Sequence, residues 1–572
     1  MKCRHAGQLA RAARTDGARG LERMSACTGG HAQRDLVRYS KRCSGVRLQL
    51  WHVETVRRRH GDSASTSVLK PVLLPHELLS LLFRYDVNKF YRIMGTPDDA
   101  FDFWWEVRRT EPTWFAEHEF RDAIKADPYN WFPLKLFGDE IRIGKLRAML
   151  VVHMFPAVGR ERKTEYAKLP CFLNTLMDNI DSVTDAPMWE AVCWSWRCLA
   201  MNKFPSTGPK GEPLTGWRKA MAGKPLLGDH HVALAGVVGD WMWTAECFHL
   251  AQNYKNGPGL PICHRCGAMN GPCPSDIAGA HSYWNHAHGA PFWSVERSHA
   301  AYLASPAALL SPASRLPGFH IQSLWPELMH GGPLGFCLTV SGSVLKEICD
   351  EAFFSPRPAM GTWFEKPQCQ LSAGYGQFKA WQIAQSRVCS QPKFTFRRLC
   401  LSRMNNIPTL KAKAYNSIIV CEWLVDCTRA VSQRWPDNSY FRDRASLCWA
   451  LSEVFNVLRR ADHWMSEQHL QELQFARDTC MRMFTKLSAM ASESDLPVYP
   501  LRPKMHVFDE ACRIAQVTGE NPASCWTFQD EDNMRVMCDI ATSCHGQTVE
   551  TSSLEKWVMN FFASEDDDPA NA

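Results

Sequence analysis

Hydrophobic positions along the chain fall into blocks of different period. The run Val72-Leu-Leu-Pro-His-Glu-Leu-Leu-Ser-Leu-Leu-Phe83 spaces its leucines for a helix, and Pro75 marks the helix start. Helical periodicity continues over residues 98–125 and predicts Phe101, Phe103, Trp104 and Trp105 inside. From Leu134 the period shortens. Leu134, Leu136, Ile141 and Ile143 lie on two alternating stretches, and Met149–Met154 is a further apolar run, so antiparallel strands with tight turns are expected. Residues 186–202 read as a helix, and the Gly/Pro-rich stretch Ser206–Pro213 as a loop. Val232–Val238 lacks alternation, as a strand covered on both faces does.

Residues 252–320 are rich in Gly, Pro, His and Ser and read as a loop-dominated insertion. Helical patterns dominate from about Leu324 to Met490, most clearly at 443–460 and 467–490. The segment Tyr499-Pro-Leu-Arg-Pro-Lys-Met-His-Val-Phe508 then reads as a strand-like return to the first domain.

Composition sharpens this picture in a few places. A chain of 572 residues predicts two to four folding units, and 45% hydrophobic with 22% charged residues describes a globular protein with ample core. The net charge of +6 is too mild to establish a nucleic-acid partner alone. Its distribution says more: the stretch to about Arg59 is arginine-rich, the tail Ser564-Glu-Asp-Asp-Asp568 is acidic, and both ends are expected to be disordered. The basic stretch suits DNA phosphates, nuclear addressing or an organelle transit signal, or has no specific role. The 23 cysteines are scattered through apolar stretches, which predicts free buried thiols in a reducing compartment. No apolar run approaches the ~20 residues of a membrane span, so an intracellular protein without a membrane partner is expected.

Three acids carry the candidate chemistry. Asp139 ends the strand-like run Pro133-Leu-Lys-Leu-Phe-Gly-Asp139, Asp240 follows the buried run Val232-Ala-Leu-Ala-Gly-Val-Val-Gly-Asp240, and Glu531 opens a predicted helix. Side chains at the carboxyl ends of strands project into the crevice where ligands bind. Two such aspartates with a helix-borne glutamate can gather hard oxygen ligands around a magnesium (or manganese) pair for phosphoryl transfer. Each acid also has a plainer reading. Asp240 suits a helix N-cap, Gly138-Asp139-Glu140 suits a hairpin turn, and Glu531 competes with Asp530 in the same helical turn. Helical phase alone leaves Asp530 and Glu531 tied.

Cys263-His-Arg-Cys266 has the spacing of one zinc half-site, with Cys273, His281, His286 and His288 as further candidate ligands. Unliganded cysteines are the alternative. A zinc-dependent hydrolase centred there lacks a clear catalytic base. His506 and His330 could touch phosphate or brace the site; His330 is read as structural.

Taken in order, several segments resemble transposases of the Kyakuja-Dileera-Zisupton and Plavaka type, relatives of hAT elements. The carrying residues are Phe137-Gly-Asp139, Gly239-Asp240, Ile262-Cys-His-Arg-Cys266, Leu324-Trp-Pro-Glu-Leu-Met-His330, Pro408-Thr-Leu-Lys-Ala-Lys413, Arg502-Pro-Lys-Met-His506 and Asp530-Glu531. The resemblance runs from about Leu73 to Phe562. It implies an α/β fold: a ribonuclease-H-like mixed-sheet core with a helical N-terminal preface and a large, mainly helical insertion. The implied divisions are a basic leader over 1–66, the preface over 67–130, and the first part of the core over 131–251. A zinc-braced insertion follows over 252–323, the helical insertion over 324–498, the final part of the core over 499–562, and the acidic tail over 563–572. The resemblance further implies Asp139, Asp240 and Glu531 as magnesium-holding catalytic residues, preferring Glu531 over Asp530. The expected zinc ligands are Cys263, Cys266 and Cys273. DNA is the implied partner, the nucleus the implied location, and DNA strand cleavage and transfer the implied reaction, with homo-oligomer formation left open. Two departures, Glu327-Leu-Met-His330 in place of an Asp-x-x-His pattern and the lack of a recognisable zinc finger ahead of the core, keep a second reading alive. In it the chain is a domesticated, non-catalytic nuclear DNA-binding or scaffold protein.

Overall fold

The apolar runs assemble one six-stranded mixed sheet in the computed structural model. The structure describes Arg11 and residues 48–563, except 59–64, 145–146, 160, 162–163, 181–182, 272–280, 285–295, 307–309, 356–364 and 402–405. The strands are β1 (Trp51–Arg58), β2 (Ser65–Val72), β3 (Trp131–Ile143), β4 (Arg147–Pro156), β5 (Leu169–Thr175) and β6 (His231–Gly239), lying side by side as β1-β2-β5-β4-β3-β6. β3 and β6 are parallel and every other neighbouring pair is antiparallel. Beyond β6 the chain adds one parallel bridge, Val237 with Leu324, where the Trp325 N–H donates to the Val237 carbonyl at 2.9 Å.

Three sequence expectations need correction around this sheet. Gly138-Asp139-Glu140 is not a turn: β3 runs on to Ile143, with Asp139 opposite Val151, and the turn residue is Gly144 at φ 65°. The reach of the leader to residue 66 is also wrong, because Trp51–Arg58 and Ser65–Val72 form the edge hairpin of the sheet. A half-buried alternation was hidden among charges there: Val53 and Thr55 are buried between exposed His52 and Glu54, and Thr55 Oγ1 donates to the Thr184 carbonyl at 2.7 Å. The rest of the leader, apart from Arg11 and residues 48–50, lies outside the described residues, as does the acidic tail beyond Ala563. Lastly, Phe103 and Trp104 are buried as expected, but Trp105 is 54% exposed.

Helices cover the sheet and build a second body. Next to the sheet lie α1 (Pro75–Tyr85), α2 (Pro97–Thr110), α3 (Ala186–Ala200) and the short α4 (Trp241–Cys247). Then come α5 (Cys337–Asp350), α6 (Glu365–Ala384), α7 (Ala414–Arg434), α8 (Ser439–Arg460), α9 (Glu467–Glu493), α10 (Lys504–Thr518), α11 (Phe528–Thr542) and α12 (Val549–Ala563). Helix α2 starts with a reciprocal cap: Thr96 Oγ1 accepts from the Asp99 N–H and Asp99 accepts from the Thr96 N–H. Helices α5 to α10 share one apolar core, separate from the sheet core, and residues 324–498 contain no strand among the described residues. Leu328–Asp350 has the length and apolarity of a membrane span, yet 83% of its most apolar window is buried in this body.

The strand-like return expected at Tyr499–Phe508 is not a strand: Tyr499–Pro503 is irregular and Lys504–Phe508 begins α10. Met505, Phe508, Cys512 and Ala515 are its buried stripe at helical spacing, a pattern that a window closing at Phe508 cannot show. Helices α11 and α12 then return to the sheet, α11 against β3 and α12 against β5 and β2. Alternation along β3 sends Lys135, Phe137 and Asp139 to the face that meets this C-terminal segment. Lys135 reaches Glu520 at 2.6 Å with both side chains almost fully buried (1% and 3% exposed), tying strand to segment.

Candidate active site and metal centre

The parallel pairing of β3 with β6 brings the first two acids together. Gly138 and Gly239 are register partners, so Asp139 and Asp240 leave neighbouring strands one residue further on. Both glycines are required by Trp243. A Cβ on Gly138 would sit 2.1 Å from the indole and one on Gly239 2.3 Å from it. The ring therefore lies flat across both strands and fixes α4, whose N-cap is Asp240. One Asp240 oxygen accepts from the Trp243 N–H at 2.6 Å, so the capping reading holds for that oxygen.

Glu531 joins them from the first turn of α11, near enough for its charge to act on Asp139. Burial first, and then the charges of Asp240 and Glu531, push the Asp139 carboxyl up to about 7. Burial likewise raises Glu531, partly offset by His330. The tie with Asp530 is resolved by partners. Asp530 is buried against Lys168 Nζ and His153 Nε2, each at 2.8 Å; burial would raise its carboxyl, but the Lys168 charge and the His153 hydrogen bond hold it low. It is a structural ion pair, whereas Glu531 faces Asp139.

His330 belongs to this cluster, contrary to its reading as a structural residue. Glu327 Oε2 accepts from both the His330 N–H and the ring Nδ1 at 2.7 Å, and Thr527, next to α11, donates to the other Glu327 oxygen at 2.8 Å. The second ring nitrogen lies 3.8 Å from Glu531. Burial alone would lower the imidazole; Glu327, Asp240 and Glu531 together raise it to about 9, so it is cationic at neutral pH. The i, i+3 spacing of Glu327 and His330 was the signal in the sequence.

The cysteine motif forms a different kind of cluster. A small three-stranded sheet, β7 (Leu260–Pro261), β8 (Ala268–Asn270) and β9 (His281–Ser282), frames the Cys263–Cys266 loop. Cys263, Cys266 and His506 of α10 are all buried, with their ligand atoms all within 4.8 Å of one another. Cys266 Sγ is 3.5 Å from His506 Nε2. Burial would raise the Cys263 thiol, but the Cys266 hydrogen bond and the His506 charge hold it well below the usual range. Two soft thiol ligands and an imidazole fit zinc. Cys273, His286 and His288 lie outside the described residues, as does the side chain of His281. His506 was visible in Arg502-Pro-Lys-Met-His506, but its partnership with cysteines some 240 residues upstream was not. Arg265 in the same loop donates to the Leu324 carbonyl at 3.0 Å, so the cysteine loop also clamps the segment bridged to β6.

No known family matches this sequence, and no curated protein matches it either.

Proposed function

We propose that the chain is a metal-dependent DNA strand-cleaving and strand-joining enzyme of transposase type, with Asp139, Asp240 and Glu531 as its catalytic acids. The convergence of those three carboxylates from two parallel strands and a returning helix carries the reading. Support for a ribonuclease-H-like core comes from the sheet itself: an interior strand bearing the first acid, antiparallel strands on one side, and on the other a parallel strand ending at the second acid.

The donor set fits hard divalent cations. The Asp139 carboxyl, raised by burial and by the neighbouring acids, is stabilised as its anion when cations bind there. Two magnesium ions held there would activate an attacking oxygen and stabilise a leaving one. Cationic His330, fixed by Glu327, orients Glu531 and holds a proton at Nε2. Asp240 is aimed by its cap bond to Trp243, which leaves its other oxygen for a ligand. Cys263, Cys266 and His506 would hold a structural zinc that ties the cysteine loop to α10. The substrate class places the work in the nucleus.

One observation favours the non-catalytic, DNA-binding alternative: Asp240 already has a structural role as a cap. Asp240→Asn separates the two, because Asn caps equally well while losing the charge. With manganese or magnesium, wild-type protein should nick supercoiled plasmid DNA and the variant should not, while both bind DNA. A variant that cuts as well as wild type would reduce Asp240 to a cap.

A further inference from the structure

Between the helical body and the loop that carries Tyr254 lies a cleft of about 280 Å³, lined by Tyr254, Phe336, Pro500, Arg502, Pro503 and Lys504 among others. Its volume approaches the roughly 300 Å³ at the small end of ligand sites. Its walls are largely apolar and aromatic, and two cations stand at it. Neither the Lys504 ammonium nor the Arg502 guanidinium makes a hydrogen bond or ion pair among the described residues.

The cleft is physically joined to the acid cluster. A Cβ on Gly335 would sit 2.8 Å from Lys504 Cδ and 2.7 Å from the His330 carbonyl oxygen, so the lysine stem lies across the backbone that follows His330. On the opposite wall Tyr254 packs against Trp241, the residue after Asp240, with ring centroids 5.2 Å apart. Two unpaired cations, Lys504 half-buried and Arg502 exposed at the mouth of an apolar cleft, suit an anion that carries an apolar body. A nucleotide is such a molecule: phosphate for the cations, base and sugar for the aromatic wall.

We infer that this cleft binds one nucleotide of the DNA strand, next to the phosphate presented to Asp139, Asp240 and Glu531, with Lys504 and Arg502 on its phosphate and Tyr254 against its base. The inference rests on the proposed DNA reaction for the identity of the ligand, but binding is separable from cutting. Lys504 and Arg502 are positioning residues here. They set the register of the strand over the acids.

The probe is a short fluorescent DNA duplex with a single-stranded overhang, bound in calcium so that no cleavage intervenes. Lys504→Met keeps the stem that packs on Gly335 and removes only the charge. Exposed Arg502→Met gives a second variant, should the first fold poorly. Each should lower the slope of log affinity against log salt by about 0.7, the value for one single-strand phosphate contact, and the double variant by about 1.4. Lys504→Arg should restore the slope, and bromodeoxyuridine in the overhang should crosslink to Tyr254. Wild-type affinity and slope in both single variants would overturn the inference, as would tighter binding of RNA of the same sequence. If wild type nicks plasmid while those slopes stay unchanged, the reaction stands and this site falls. If the slopes change and nothing is cut, the site stands and the catalytic reading falls. Failure of wild type to bind the probe overturns both.

Discussion

The two clusters proposed here to hold metal differ in the way that structural and catalytic metal centres differ. Cys263, Cys266 and His506 are fully buried, soft and already gathered, their ligand atoms within 4.8 Å of one another before any ion arrives. Asp139, Asp240 and Glu531 are half-exposed and hard, too far apart to meet the same limit, and burial with the neighbouring acids raises the Asp139 carboxyl. A closed soft site adds folding energy, whereas an open acidic one keeps room for substrate and spreads its ligands around two ions roughly 3.5–4 Å apart. Removing a ligand should therefore damage stability at the first centre and chemistry at the second.

The largest effect is expected at the cysteine cluster. Cys263→Ser should eliminate one equivalent of zinc, read by native mass spectrometry. It should also cost several kcal/mol of stability in thermal denaturation, since structural zinc in small domains contributes on the order of 10 kcal/mol. Retained zinc with an unchanged melting temperature would break the comparison from that side.

Next comes the floor beneath the acids. Gly138→Val drives a branched side chain into Trp243, whose ring a single Cβ would already approach to 2.1 Å. Overpacking of this kind costs about 1–3 kcal/mol. Because Trp243 carries the N–H that aims Asp240, DNA nicking should be lost along with stability, as measured by chemical denaturation and the plasmid assay together.

A smaller effect, of opposite sign, is expected from Asp139→Asn in metal-free protein. The folded Asp139 carboxyl is raised from 3.8 to about 7. Its contribution to stability is thus fully present below the unfolded value and lost as pH rises through about 7. Melting temperature should fall across that window in wild type and fall less in the variant. At neutral pH the variant should be more stable by about 1–2 kcal/mol after discounting for solvent screening. Magnesium should remove much of the difference by stabilising wild type alone. The smallest change belongs to Asp240→Asn, whose stability should stay within about 0.5 kcal/mol of wild type because the cap survives. A large loss there would make Asp240 chiefly structural.

The strands bearing Asp139 and Asp240 were legible because buried strands advertise themselves as continuous or alternating apolar runs that end in a costly charge. So were α8 and α9, whose stripes persist over many turns. Charge defeated the reading at Trp51–Arg58, where arginines mask two buried positions. A short window defeated it at α10. Partner choice was illegible for a deeper reason. Asp530 and Glu531 sit in one helical turn, and only Lys168 and His153, brought in from β4 and the segment before β5, show which of them is neutralised. His506 and His330 likewise acquire their surroundings from distant segments, and local pattern carries no record of that.

The most direct measurement is anomalous diffraction at the manganese edge from crystals grown with manganese and a short DNA duplex. Two peaks roughly 3.5–4 Å apart, ligated by Asp139, Asp240 and Glu531 and facing a phosphodiester, are the predicted result. Density showing those carboxylates without metal, with Asp240 engaged only by the Trp243 N–H and DNA bound elsewhere, would contradict it.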